Sequence, residues 1–259
     1  MLLHDKVAII SGIGPGLGQE LAYAFAREGA RIAIACRTQS VLDRVVGEVR
    51  DSGGEVVGVA TDITDAQQCK RLVDATAEAF GKIDALVNSA YNPGPFAMIE
   101  DADLDDWRSP FEVNVLGSMR LTQAAIPHLK AAGGGAIVNV NSMIHRKPLP
   151  MQASYATSKG ALEAATKCLA KELGPFKIRV NSVFMGWMWG PPVEGFVTMS
   201  AQARGVDPSV VVGEITKDIP LGIVPDDADC ANAVAFLCSD LARVITGAGL
   251  DVNGGEFMP

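Results

Sequence analysis

The feature that most constrains the fold of this chain is a glycine-rich loop between a strand and a helix near the N-terminus. The apolar residues 6–10 predict a buried strand, and the pattern over Leu17–Arg27 predicts an amphipathic helix. The loop between them reads SGIGPGLG. Such a loop presents backbone amides and the positive end of a helix to a phosphate, although it also fits an ordinary tight turn. A second predicted strand at 31–35 follows the helix and favours a nucleotide-binding unit.

Strands and helices alternate along the rest of the chain. Further strands are predicted at 55–60, 83–87, 137–140, 177–183 and 250–252, between helices at 40–50, 66–80, 104–132, 153–173 and 226–238. This order predicts an α/β fold, a doubly wound (Rossmann) parallel sheet of about seven strands in three α/β/α layers. No linker divides the sequence, so one domain over residues 1–259 is expected. Residues 186–221 are the least regular and are expected to form a substrate lid.

A second pattern involves Ser142, Tyr155 and Lys159. Tyr155 and Lys159 stand four residues apart in an Ala-rich run that predicts a helix, so their side chains share one face. A nearby ammonium favours the phenolate and is expected to lower the pKa of Tyr155, which suits an acid and base. Ser142 follows a predicted strand at the sheet edge where ligands bind. The three side chains are expected to line one site, although a Tyr-x-x-x-Lys pair alone also occurs on ordinary helix surfaces.

Composition and charge argue against several other classes of protein. A net charge of −8 disfavours a nucleic-acid or anionic-membrane partner. The apolar runs are too short to span a bilayer, and the N-terminus shows no export signal. Five cysteines without paired spacing are typical of reduced thiols, so a cytoplasmic location is expected. Three separated histidines and no Cys/His cluster predict that there is no metal site.

Together with the glycine loop, the Ser, Tyr and Lys pattern resembles the short-chain dehydrogenase/reductase family from about Lys6 to Glu256. The resemblance implies that Ser142, Tyr155 and Lys159 form the active site. It also implies that Asn114, in the segment FEVNVLG, distorts its helix and holds a water that relays protons to the lysine. A buried Asn is also a common structural hydrogen-bonding residue. In many members the helices that carry the Asn and the Tyr contact a second subunit, which implies a homo-oligomer, either a dimer or a tetramer.

The same resemblance implies a set of cofactor-binding residues. Gly12, Gly16, Leu17 and Gly18 belong to the phosphate-binding loop and the start of its helix. The remaining implied contacts are Asp62 at the adenine amino group, Ile63 near the ring, Asn88, which also braces the sheet, Ala90 along the cofactor, Tyr155, Lys159 at the ribose, and Gly186.

Arg37 and Thr38 bear on the choice between the two nicotinamide cofactors. They follow the second strand, where an acid usually meets the ribose 2′-hydroxyl of NAD and a cation meets the 2′-phosphate of NADP. An Arg with a hydroxyl beside it favours NADP(H), with NAD(H) as the other possibility. Two observations oppose this choice: Arg37 also fits a solvated strand-end charge, and Pro15 stands where NADP-using relatives often have a second basic residue.

Several positions depart from the family pattern near the expected substrate. Tyr91 replaces a Gly and is expected to narrow the substrate mouth, Met185 replaces a Pro, and Gly190 replaces a Thr that commonly bonds the nicotinamide carboxamide. The expected substrate pocket is an apolar roof that includes Tyr91, Met143, Trp187 and Trp189. Each roof residue also fits a core or subunit contact.

The resemblance and these residues imply an NADP(H)-dependent oxidoreductase that interconverts a ketone or aldehyde and an alcohol on a small apolar substrate. One alternative is an NAD-dependent alcohol dehydrogenase of the same fold. Another is a non-catalytic protein that senses NADP(H), which the altered segments around Tyr91 and Met185 suggest.

Overall fold

The computed structural model describes residues 1–259 and contains a single sheet of seven strands. The strands are β1 (Val7–Ser11), β2 (Arg31–Cys36), β3 (Val56–Ala60), β4 (Ala85–Asn88), β5 (Gly135–Ser142), β6 (Ile178–Met185) and β7 (Gly249–Val252). Their order is β3-β2-β1-β4-β5-β6-β7, and all neighbouring strands are parallel. The strand order reverses between β1 and β4, which opens a crevice at the carboxyl edge. The predicted doubly wound sheet is confirmed.

Helices cover both faces of the sheet. They are α1 (Leu17–Arg27), α2 (Gln39–Asp51), α3 (Ala66–Phe80), α4 (Arg108–Pro110), α5 (Ser118–Ala131), α6 (Ala153–Leu173), α7 (Pro191–Arg204), α8 (Pro208–Thr216) and α9 (Asp227–Cys238). A π-helical segment, Phe111–Gly117, joins α4 to α5. No helix is both long enough and apolar enough to cross a membrane.

The apolar strands account for two core layers, one on each face. On one face, Leu21 and Phe25 of α1 pack with Val45 of α2 and Val234 of α9. On the other face lie the buried side chains of α3, α5 and α6, among them Leu72, Leu121 and Leu173. Because parallel strands are buried from both sides, β1 reads as a continuous apolar run ending in a buried serine. This packing fixes the carboxyl ends of the strands, from which the site residues project.

The expected lid is more regular than its sequence suggested. Residues 186–221 contain α7 and α8, each with proline in its first turn, where a missing amide hydrogen is tolerated. The two helices share a small core of Val197, Ala201 and Val211. Prolines mark the starts of both helices, and the left-handed Gly205 marks the end of α7.

Candidate active site

A continuous groove runs along the carboxyl edge of the sheet, formed by three adjoining cavities. The β2 cavity, about 760 Å³, lies between β2 and the glycine loop. The central cavity, about 260 Å³, shares Gly12 and Pro15 with it. The Met143 cavity, about 160 Å³, shares Ser142 and Tyr155 with the central cavity. A long ligand that fills the β2 cavity and the central cavity would therefore contact, beside Ser142, a smaller ligand bound in the Met143 cavity.

The glycine loop lies between the β2 cavity and the central cavity. Gly12 has a φ of 85°, and a Cβ atom there would lie 2.3 Å from the backbone nitrogen of Ala90. Only glycine allows both this conformation and this close approach to the chain after β4. No side chain caps the N-terminus of α1, which begins at Leu17. The part of the central cavity formed by the glycine loop is thus bare backbone at a positive helix end, which suits an anion.

The β2 cavity brings together the predicted residues Arg37, Thr38, Asp62, Ile63 and Ala90. Arg37 is exposed and has no ion pair or hydrogen bond within the protein. The Oδ1 atom of Asp62 accepts hydrogen bonds from the backbone nitrogen (2.9 Å) and hydroxyl (2.7 Å) of Thr64. These bonds lower the pKa of Asp62 and keep it ionised. The cavity therefore offers a cation with no protein partner and a fixed carboxylate, and Arg37 is near enough to help lower the pKa of Asp62.

Ser142, Tyr155 and Lys159 converge on the central cavity, as the sequence predicted. Ser142 ends β5, while Tyr155 and Lys159 lie on successive turns of α6. The Lys159 ammonium donates a hydrogen bond to the carbonyl of Val140 (2.8 Å) and lies 5.6 Å from the centre of the Tyr155 ring. Ser142 lies close enough to the phenol of Tyr155 to oppose the rise in its pKa. A hydroxyl, a phenol and an amine thus face one small volume.

The expected lowering of the Tyr155 pKa is not found. Burial raises the pKa of Tyr155 above its ordinary value, Tyr91 adds to the rise, and the hydrogen bond from Ser142 opposes it. Burial also lowers the pKa of Lys159 to about 7. Helical spacing indicates the attraction between the two groups but not the cost of desolvating each charge, and this cost dominates here. Tyr155 is therefore neutral, and Lys159 titrates near neutral pH.

Asn114 lies behind the groove, in the π-helical segment Phe111–Gly117 and fully buried. Its Oδ1 accepts a hydrogen bond from the backbone nitrogen of Asn92 (2.7 Å). Its Nδ2 donates to the Asn92 carbonyl (2.9 Å) and to the hydroxyl of Ser158 (2.9 Å). The segment departs from α-helical geometry, and Asn114 ties the loop after β4 to α6.

The comparison with known protein families agrees with this geometry. Residues 12–256 match the profile of a family described as enoyl-(acyl carrier protein) reductase, a short-chain dehydrogenase profile. The dehydrogenase LinX of Sphingobium indicum, named for 2,5-dichloro-2,5-cyclohexadiene-1,4-diol, is 35% identical over 98% of this chain and 96% of its own. The chain belongs to the short-chain dehydrogenase/reductase family. It is therefore an oxidoreductase that acts on alcohol and carbonyl groups.

Two solved structures of short-chain dehydrogenase/reductase proteins share the fold. L-sorbose reductase from Gluconobacter frateurii, complexed with NADPH and L-sorbose, has a TM-score of 0.94 and 29% identity and covers 100% of both chains. Xylitol dehydrogenase bound to NAD⁺ has a TM-score of 0.90 and 32% identity, covering 98% of this chain and 100% of its own. The two neighbours thus carry different nicotinamide cofactors.

Besides Asn114, two predicted site residues line none of the three cavities: Asn88, which the family resemblance suggested, and Trp189, which was expected in the apolar roof. The side chain of Asn88 is buried and donates hydrogen bonds to Thr122 (3.1 Å) and Asn139 (2.9 Å), so it braces β4 against α5 and β5. Trp189 packs against the small core of α7 and α8 and lines none of the three cavities. Trp189 stands only two residues after Trp187, and this spacing does not show that the chain turns between the two tryptophans.

The other predicted residues of the substrate pocket do surround the Met143 cavity and its entrance. Met143 and Trp187 form part of its apolar wall, together with Ile144 and Leu149. Tyr91 lies at the mouth of the central cavity, is 56% exposed, and has its ring centre 6.3 Å from that of Tyr155. The position of Tyr91 agrees with a side chain that narrows the mouth.

A charged cluster that was not predicted lies behind Ser142. The Nδ1 atom of His145 lies 2.8 Å from the carbonyl oxygen of Ser142, and its Nε2 lies 2.6 Å from Glu163 on α6. Burial opposes ionisation of Glu163, but hydrogen bonds from Lys167, His145 and Arg146 lower its pKa to about 2. In this short-chain dehydrogenase/reductase protein the cluster thus ties the end of β5 to α6, the helix that carries Tyr155. No sequence motif indicates the cluster, because its members meet only in the fold.

Proposed function

We propose that the protein is an NADP(H)-dependent carbonyl reductase that interconverts an apolar ketone or aldehyde and its alcohol. The observation that carries this proposal is the convergence of Ser142, Tyr155 and Lys159 where the central cavity meets the Met143 cavity. Family membership supports the reaction class, and the residues along the groove support the choice of cofactor and substrate.

The groove fits a nicotinamide dinucleotide in both shape and chemistry. The bare backbone around Gly12 and the uncapped start of α1 suit the diphosphate. Asp62 and Ile63 suit the adenine end, while Lys159 suits the ribose next to the nicotinamide. The bound cofactor supplies a hydride to the carbonyl carbon.

The three polar side chains then have distinct roles at the carbonyl oxygen. The Ser142 hydroxyl donates a hydrogen bond that polarises the carbonyl and holds its oxygen near Tyr155. Tyr155 donates its phenolic proton to that oxygen as negative charge develops there. Because burial raises the pKa of Tyr155, the residue is protonated before the reaction, which favours reduction. Lys159, when charged, stabilises the phenolate left behind.

The lining of the Met143 cavity supports an apolar substrate. Met143, Ile144, Leu149 and Trp187 form most of the apolar part of its wall, and Gln152, Lys147 and Glu256 are its polar members beside Ser142 and Tyr155. The relative LinX is named for an alcohol on a six-membered carbon ring, a substrate that fits such a wall. L-sorbose reductase is named for a polyhydroxylated sugar. In the Met143 cavity the two charged members, Lys147 and Glu256, pair with each other at 3.0 Å.

A substrate panel tests the proposal with the purified protein. Oxidation of NADPH is followed with alicyclic ketones, open-chain ketones, aldehydes and ketoses at matched concentrations. Faster turnover of alicyclic ketones than of ketoses supports it. Binding of NADPH without turnover on the whole panel would favour the sensing protein, and turnover with NADH only would favour the NAD-dependent dehydrogenase.

Replacing Arg37 with Ala is expected to reduce the affinity for NADPH by about 10- to 100-fold and to leave that for NADH almost unchanged. The free guanidinium of Arg37 can form charge-assisted hydrogen bonds to the 2′-phosphate, which contribute about 1.5–3 kcal/mol. Fluorescence titration of both nucleotides measures the effect. The control is Arg71→Ala, which removes an exposed Arg from α3 outside the groove. Equal loss for both nucleotides, or none, would contradict the role of Arg37.

We further propose that the protein is a cytoplasmic homo-oligomer, a dimer or a tetramer. Its five cysteines are all free thiols, in keeping with a reducing compartment. Leu116 beside α5 and Phe176 after α6 are 46% and 45% exposed, and apolar side chains of this kind suit a subunit contact along these helices. Light scattering during size-exclusion chromatography tests the assembly, and a monomer mass at micromolar concentration would contradict it.

A further inference from the structure

Asp227 is a buried carboxyl group in the central cavity that the mechanism above leaves without a role. It begins α9, is 7% exposed, and lines the cavity together with Gly16 and Lys159. Its carboxyl oxygens accept no hydrogen bond from the protein. Buried carboxyl groups ordinarily have a partner, because removing a charge from water is costly. Its place in the cavity suggests that a ligand supplies that partner.

Two glycines show where the carboxyl group points. A Cβ atom at Gly190 would lie 1.9 Å from Oδ2 of Asp227, and one at Gly16 would lie 2.9 Å from the same oxygen. Gly190 has an extended backbone with φ of −175°, so the carboxyl group, and not backbone strain, excludes a side chain there. Gly16 immediately precedes α1. Asp227 therefore reaches the helix end that suits the diphosphate.

The surroundings of Asp227 disfavour its ionised form. Burial raises the pKa of Asp227 to about 6, and neighbouring carboxylates raise it as well. The titratable groups near it are Glu20 on α1, Glu194 on α7, Asp226 and Cys230 on its own segment, and Tyr155 and Lys159 in the same cavity. A diphosphate beside Gly16 would add further negative charge and repel an ionised Asp227.

We propose that Asp227 contacts the dinucleotide as a neutral carboxylic acid, so that nucleotide binding is coupled to the uptake of one proton. This inference rests on the dinucleotide of the proposed function. The neutral acid donates a hydrogen bond to a nucleotide oxygen near α1, whereas the carboxylate has no proton to donate. Binding raises the pKa of Asp227 further. Nucleotide affinity is therefore highest at low pH. Above the pKa of Asp227 in the free protein, the affinity falls by up to about tenfold for each unit of pH.

Calorimetric titration of the full chain with NADPH tests this coupling at about pH 7.5, where the free Asp227 is mostly ionised. The binding enthalpy is measured in buffers of different ionisation enthalpy, and the slope gives the number of protons taken up. The wild type is expected to take up about one proton through Asp227, while Asp227→Asn, a neutral isostere, takes up about one fewer. Because pH 7.5 lies about 1.5 units above the pKa of about 6, the variant is expected to bind NADPH up to about 30-fold more tightly. Equal proton uptake by the two proteins overturns the proposal.

Two further variants separate Asp227 from other titrating groups. Lys159→Met removes the other group of the cavity that titrates near pH 7. In this variant NADPH binding is still expected to be coupled to the uptake of a proton by Asp227. Asp229→Asn removes the same charge from an exposed position on α9 and is expected to bind and take up protons like the wild type. A loss of uptake in Asp229→Asn equal to that in Asp227→Asn overturns the proposal, because a general change in charge would then explain both.

The wild-type titration keeps the test valid even if Asp227→Asn does not fold. NADPH binding without proton uptake overturns the role of Asp227 and leaves the proposed function standing. Absence of binding by both NADPH and NADH overturns the two together.

Discussion

Replacing Tyr155 with Phe is expected to lower kcat by about 10³-fold, within the range for loss of a single general acid. The variant keeps the ring, which contacts Tyr91, and removes the hydroxyl that shares the central cavity with Ser142. Without this proton donor, negative charge on the substrate oxygen has no acid to neutralise it. Steady-state reduction of the best ketone of the panel measures the loss, and titration with NADPH is expected to give an unchanged dissociation constant.

Tyr23→Phe is the matched control for this variant. Its phenol lies on α1 and donates a hydrogen bond to Glu48, outside the groove. Removing this hydroxyl is expected to leave kcat and NADPH affinity unchanged. If Tyr155→Phe retained wild-type turnover, the acid would have to be another group, and the mechanism proposed here would fail.

Lys159→Met is expected to lower turnover by about 10²-fold or more and also to weaken NADPH binding. The charged lysine stabilises the phenolate of Tyr155 and bonds the ribose, so its loss affects both steps. This combination distinguishes it from Tyr155→Phe, which keeps binding intact. Steady-state kinetics and NADPH titration on the same preparation measure the two effects.

The same variant is expected to be more stable than the wild type at neutral pH in the absence of cofactor. Burial lowers the pKa of Lys159 from 10.5 to about 7, so the unfolded chain binds this proton more strongly than the folded protein. Below pH 7 the buried lysine therefore lowers the free energy of unfolding of the wild type by its full amount. This destabilisation declines as the pH rises from 7 toward 10.5. The advantage of Lys159→Met should shrink over that interval, as thermal unfolding at several pH values would show.

Lys167→Met provides the control for both Lys159 effects. Lys167 lies two turns further along α6, is 62% exposed, and pairs with Glu163. Its replacement is expected to change neither turnover nor the pH dependence of stability by a comparable amount. A Lys159→Met protein that was less stable than the wild type at neutral pH would show that the bond to Val140 outweighs the burial of charge.

The alternation of strands and helices was sufficient to predict the sheet, and local spacing was sufficient to bring Tyr155 and Lys159 together. Both are properties of short stretches of chain, such as two side chains one helical turn apart. Ser142 was predictable because parallel strands deliver their carboxyl ends to one edge. The same reasoning placed Arg37 at the end of β2, where the structure has it.

The features that the sequence did not reveal depend on tertiary contacts. The pKa values of Tyr155 and Lys159 follow from burial, which spacing does not report. Asp227 stands next to Asp226 at a helix start and looks like a capping residue, yet its side chain enters the cavity because Gly190 leaves space for it. The contact between Asn114 and Asn92 joins residues 22 positions apart in the sequence, through a loop with no local signal.

The most direct test of the central claim is a single turnover of NADPH bound to the wild type and to Tyr155→Phe, started by adding an alicyclic ketone. The wild type is expected to oxidise the bound NADPH and to form one equivalent of secondary alcohol, while the Phe variant is expected to bind NADPH equally well but to react about 10³-fold more slowly. Wild-type protein that holds NADPH without oxidising it across the whole panel, or two proteins that react at the same rate, would contradict it.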